Sequence, residues 1–156
     1  MKSYLNFVIM IAVSATLMHA LMYFNTYEFS HVRFSQTRLF MTFIMAGNMA
    51  LVMLFFMRHM YRNRTANLAI VGASLALIAG SVWLVRSQVT VEDVAWMKAM
   101  IPHHSIAILT SERARLTDPR VKELADAIIE TQREEIALME RLIQDLQHNP
   151  PASPGN

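Results

Sequence analysis

Three long apolar runs fill the first half of the chain, and a different periodicity takes over after them. The runs extend from about Tyr4 to Phe24, from about Leu39 to Met57 and from about Ala66 to Val85. About 20 residues of helix reach roughly 30 Å, the thickness of a bilayer's hydrocarbon core. The pattern therefore predicts three transmembrane helices. Val13-Ser14-Ala15 resembles a signal-cleavage stretch, but the apolar run continues through Leu17, Leu21 and Met22, which predicts a span instead. Gly72 and Gly80 are predicted small packing positions in the third span.

Beyond Arg86-Ser87-Gln88 the pattern becomes that of amphipathic helices. Thr90 with Asp93 reads as an N-terminal capping pair, and one helix is predicted from about Val91 to Leu116, kinked at Pro102. Asp118-Pro119 reads as a restart, a capping carboxylate followed by proline at the first helical position. The last helix is predicted to run to about Gln147. Its apolar seam is Val121, Ala125, Ile128, Gln132, Glu135, Met139, Leu142 and Leu146, alternating steps of four and three, flanked by Leu124, Ile129, Ile136, Leu138 and Ile143. The predicted fold is all-α: a membrane domain over 1–88, an antiparallel helical hairpin over 89–148 and a disordered tail over 149–156, which carries three prolines and a glycine. A hairpin of about 60 residues buries little core, so pairing with a second copy into a four-helix bundle is expected.

Composition narrows the function classes. The chain has 156 residues, is 54% apolar and carries a formal charge of +2. Its basic residues sit at helix ends and form no patch, which argues against nucleic-acid binding. It has no cysteine, which excludes disulfides, thiolate metal sites and cysteine nucleophiles. With the N-terminus inside, the inner side carries Lys2, Arg58, Arg62 and Arg64, and the outer side Arg33, Arg38 and Arg86. That excess places the N-terminus in the cytoplasm and the hairpin in the periplasm, the arrangement of a bacterial inner-membrane protein.

Candidate chemistry lies where polar residues interrupt the apolar pattern. Gln132 and Glu135 fall in the seam of the last helix, where an unpaired carboxylate would be costly. His104 lies about 13 residues before the turn at Thr117-Asp118, Gln132 about 14 after it and Glu135 about 17 after it. In an antiparallel hairpin these levels meet within a turn of helix. His103, His104, Met100 and Met139 are the candidate first ligands of a metal ion, with Glu135 and Gln132 as further ligands or as partners that orient the imidazoles. The alternative is a buried His–Glu–Gln network that only specifies how the helices pair. Thirteen methionines are many for this length, and five of them, Met41, Met45, Met49, Met53 and Met57, recur every fourth residue along the second span. Such a row is ordinary packing or a thioether ladder for a soft ion. His19 and Asn48 are polar residues within spans, positions that often carry function, and His19 is also a candidate haem ligand.

Met100-Ile101-Pro102-His103-His104, then Asp118-Pro119-Arg120-Val121, then Ile128 to Met139 with its Gln-x-x-Glu-Ile-x-x-Met core, resemble the "domain of unknown function 305" family. The resemblance covers about Val94 to Leu146 and leaves out the membrane part. It implies a ferritin-like helical domain, exported or periplasmic, with a link to copper in some members. It also implies His103, His104, Gln132, Glu135 and Met139 as the motif positions. Many members carry a methionine where this chain has Thr110, and Ser105, Ile106 and Leu109 also depart from the commoner residues. Together these readings lead to the expectation of a membrane-anchored protein that binds a metal ion, copper first, to store, buffer or deliver it. The alternative is a structural module with no metal role. No nucleophile, phosphate loop or cofactor motif accompanies the histidines, so an enzyme is not expected.

Overall fold

The computed structural model describes residues 2–149. The predicted tail therefore lies outside the described residues, apart from Asn149. The described chain is helical throughout: α1 Lys2–Leu21, a short 3-10 turn Phe29–His31, α2 Gln36–Phe56, α3 Arg64–Ser87, α4 Asp93–Arg113 and α5 Pro119–His148. It divides into two compact units. One contains α1, α2 and α3, and the other contains α4, α5 and the connecting segment Tyr23–Ser35.

In the first unit, α1, α2 and α3 are each long and apolar enough to cross a membrane. Their outward faces carry Leu5, Val8, Leu17, Leu68, Leu75 and Trp83 with much of their surface uncovered. A helix satisfies its own backbone in hydrocarbon, so such faces suit lipid as their solvent. The helices α2 and α3 approach closely at Gly47. A Cβ there would lie 2.8 Å from the Ile78 side chain and 3.1 Å from the Ser74 carbonyl, so only glycine permits this approach. Gly72 and Gly80, the glycines expected to pack, have open space where a Cβ would be. At one end Tyr4 and Phe7 set their rings against buried Tyr61, at 5.2 and 5.3 Å between centroids. There the Tyr4 hydroxyl accepts from the Asn63 N–H (3.0 Å) and donates to Asn67 Oδ1 (2.9 Å), and Asn63 itself caps α3. Met53 and Met57 pack against this cluster, while Met41 is exposed.

In the second unit, α4 and α5 form the expected hairpin around Met97, Ile101, Ile108, Ile136, Met139 and Ile143. The restart at Asp118 forms as expected: its carboxylate accepts from the Arg120 N–H at 2.9 Å, and Pro119 opens α5. The Arg120 guanidinium beside it, with that backbone bond, holds the Asp118 carboxyl below its ordinary pKa. The start of α4 differs from the expectation. Glu92, not Thr90, precedes the first helical residue Asp93, and its side chain makes no capping bond. The helix continues through Pro102, which is fully buried.

The packed face of α5 is turned by about one residue from the predicted seam. Ala125, Ile136, Met139 and Ile143 are buried, while Val121 and Leu142 are exposed. The helix carries apolar residues on two adjacent faces, and the isoleucine row Ile129, Ile136, Ile143 takes the inner one. Glu135 consequently sits at the rim of the core, not at its centre, with its side chain 45% exposed.

Candidate metal centre

One turn of α4 and one turn of α5 build the site. On α4, Met100 and His104 are four residues apart, and on α5 Glu135 and Met139 are four apart, so each pair projects from one face. Gln132 precedes Glu135 by three and shares that face. The antiparallel level of the two helices brings His104 opposite Glu135, with Nδ1 3.1 Å from Oε2. Gln132 Nε2 donates to the same carboxylate oxygen at 3.0 Å. Met139 is buried in the hairpin core and Met100 packs against that core. Five of the six expected positions thus fall into two groups, His104 with Glu135 and Gln132, and Met100 with the cluster that contains Met139.

His103 does not join them. Its side chain is exposed, and its ring centroid is 6.0 Å from that of His104. Consecutive helical residues are about 100° apart, and it is His104 that turns toward Glu135 on α5. The imidazole that the structure places beside Glu135 is that of His104.

The His104 side chain is only 15% exposed. Its Nδ1 is buried and makes no hydrogen bond, despite the short distance to Glu135, because the ring does not aim its nitrogen along a hydrogen-bonding direction. Burial lowers the His104 pKa, the Glu135 carboxylate opposes that shift, and His103 adds to it. The neutral imidazole is therefore favoured, with a lone pair available on a ring nitrogen. A buried imidazole nitrogen without a hydrogen-bond partner, beside a carboxylate oxygen, has the donor character that a metal ion uses. Metal–nitrogen and metal–oxygen bonds run about 2.0–2.2 Å, so donors 3.1 Å apart lie within reach of one ion.

Among the described residues no group of three or more His, Cys, Asp or Glu side chains gathers at one point. A centre built on His104 must complete itself with the Gln132 amide or with thioether sulfur from Met100 and Met139. That donor set holds a single carboxylate, where a ferritin-type site uses several.

A second cluster behind His104 was not foreseen. Ser105 is 0% exposed. Its Oγ accepts from the Tyr27 N–H at 2.7 Å and lies 3.0 Å from His31 Nδ1. The Tyr27 ring leans on the hairpin core, with the Arg133 guanidinium 6.0 Å from its centroid, and Glu112 beside its hydroxyl raises the phenol pKa. Arg33 pairs with Glu140 at 3.3 Å. The segment Tyr23–Ser35 is thus tied to α4 and α5 on the side of α4 next to His104.

In the first unit, His19 Nδ1 lies 2.9 Å from the Thr42 hydroxyl, which ties α1 to α2. Arg38 donates to the Met22 carbonyl at 2.7 Å on the same side.

Comparison with known proteins places the hairpin within a described family. Residues 84–155 match the model of the family called domain of unknown function, DUF305. An uncharacterized protein of Acanthamoeba polyphaga mimivirus is 31% identical over 116 residues, covering 73% of this chain and 74% of that protein. No solved structure matches the chain.

Proposed function

We propose that this chain, whose residues 84–155 carry a DUF305 domain, is a membrane-anchored metal-binding protein that stores, buffers or hands over copper at the periplasmic face of a bacterial inner membrane. The observation that carries this reading is the buried His104 Nδ1, unpaired by any hydrogen bond and 3.1 Å from Glu135 Oε2. A neutral imidazole in that setting holds its lone pair toward a cation. Glu135 contributes charge and a second donor. Gln132 fixes the carboxylate by donating to it, and the sulfurs of Met139 and Met100 favour the reduced ion. The three apolar helices hold the hairpin at the membrane, and the basic excess at Lys2, Arg58, Arg62 and Arg64 supports a cytoplasmic N-terminus.

The test is Cu(I) competition against a chromophoric chelator with the full chain in detergent. His104→Ala is expected to weaken binding at least tenfold, and His103→Ala to leave it within about twofold. Equal binding by wild type and His104→Ala would remove the proposal.

A second reading keeps His104, Glu135 and Gln132 as a register device without metal. It is favoured by the lack, among the described residues, of a third His, Asp or Glu at the site. The two separate on added metal. The binding reading expects a stability gain that Glu135→Gln abolishes, and the register reading expects none.

A further inference from the structure

We propose that a pocket in the second unit, where the connecting segment meets α4 and the last turns of α5, binds the headgroup of an anionic phospholipid. The pocket has a volume of about 430 Å³ and brings together Arg33 of the segment, Lys98 of α4, and Glu140, Gln144 and Gln147 of α5. At 100° per residue the three α5 positions lie within about 60° of one another, so they share one face of that helix. The volume is that of a small-molecule site, about 300–1,000 Å³.

Charge identifies the ligand class. The Arg33 guanidinium is engaged by Glu140 at 3.3 Å. Lys98 is half-buried, and its ammonium has no hydrogen bond or ion pair among the described residues. Two cations and one carboxylate leave the pocket with one positive charge. A phosphodiester carries one negative charge and offers the oxygens that ammonium and guanidinium groups bind. The amides of Gln144 and Gln147 both donate and accept, which suits the hydroxyls of an uncharged polar head. A zwitterionic head would bring a cation of its own, and the one carboxylate here already holds Arg33.

The rim of the pocket makes the phosphodiester a lipid's. Val32 and Phe34 line it and are exposed. Phe24 and Phe29 of the same segment are uncovered too, Phe29 to 89%. Long apolar helices hold the segment at both ends, since α1 stops at Leu21 and α2 starts at Gln36. Phe34 precedes α2 by two residues, at most about 7 Å of chain. With α1 and α2 in a bilayer, that tether keeps Phe34 at headgroup depth, where apolar side chains insert and basic ones meet lipid phosphate. A water-soluble phosphate ester would leave this apolar rim uncovered. The proposal rests on α1, α2 and α3 as membrane spans and is independent of copper binding.

For the test, the full chain is delipidated in detergent and mixed with phosphatidylglycerol or phosphatidylcholine of the same acyl chains. Native mass spectrometry counts the bound lipid. Phosphatidylglycerol is expected to be retained in preference to phosphatidylcholine, and Lys98→Gln to lower its retention about fivefold. Lys98→Arg is expected to keep it. Lys122→Gln, the same loss of charge at an exposed α5 position outside the pocket, is expected to leave retention unchanged. Glycerol phosphate at millimolar concentration is expected not to displace the lipid. Equal retention of the two lipids, equal retention by wild type and Lys98→Gln, an equal loss in Lys122→Gln, or displacement by glycerol phosphate would each overturn the proposal. Alkaline carbonate extraction of membranes reads the spans separately: a chain that stays in the pellet keeps them, whatever the lipid result.

Discussion

Ser105→Ala should release the segment Tyr23–Ser35 from the hairpin. The Ser105 Oγ has no contact with water, and it accepts the Tyr27 N–H at 2.7 Å and sits 3.0 Å from His31 Nδ1. Deleting it adds little cavity, since one oxygen is lost, but it leaves a buried N–H without an acceptor. That costs about 1–3 kcal/mol. The imidazole of His31 keeps 13% of its surface in solvent, where water can take the place of the lost hydroxyl. Most of the cost therefore falls on Tyr27. A local opening easier by 1–3 kcal/mol corresponds to amide exchange faster by roughly 5- to 150-fold. The assay is hydrogen–deuterium exchange of peptides covering Tyr27, with the His31→Ala variant alongside. Ser105→Ala is expected to speed exchange at Tyr27 within that range, His31→Ala to speed it less, and neither to affect the α1–α3 peptides. Unchanged exchange at Tyr27 in Ser105→Ala would refute the reasoning that one hydroxyl holds the segment.

The His104 pKa is lowered by burial, so the folded state resists its protonation. An ordinary histidine titrates near pH 6.5, and the hairpin is therefore expected to keep its full stability above about that value and to lose some as pH falls below it. In chelator, a pH series of thermal unfolding on wild type and His104→Gln reads this as a slope that the variant flattens. Glu135→Gln removes the opposing charge, and an NMR titration is expected to show the His104 pKa falling further. Ile101 has 0% exposure at the centre of the hairpin core. Ile101→Ala is expected to cost about 2–5 kcal/mol in denaturant unfolding, while Leu142→Ala, at an exposed position, costs under about 1 kcal/mol.

The sequence carried what is local. Runs of about 20 apolar residues announce spans because only a helix satisfies its backbone in lipid. Asp118-Pro119 announces a helix start because the carboxylate and the missing N–H each act within one turn. The meeting of His104 with Glu135 also followed from counting outward from one short turn. What escaped was orientation and distance. The seam of α5 was misplaced by a residue because Val121, Leu124 and Leu142 make its outer face as apolar as its inner one. Gly72 and Gly80 read like packing glycines, yet Gly47 is the one pressed against α3, since composition does not say which way a glycine faces. Ser105 meets Tyr27 and His31 across more than seventy residues, with no periodicity to signal it.

The central claim is that the unpaired Nδ1 of His104 is a metal donor. X-ray absorption at the copper edge, on the full chain loaded with one equivalent of Cu(I), tests it directly. The account expects imidazole scattering together with sulfur in the wild type and in His103→Ala, and loss of the imidazole signal in His104→Ala. Imidazole scattering that persists in His104→Ala and vanishes in His103→Ala would contradict it.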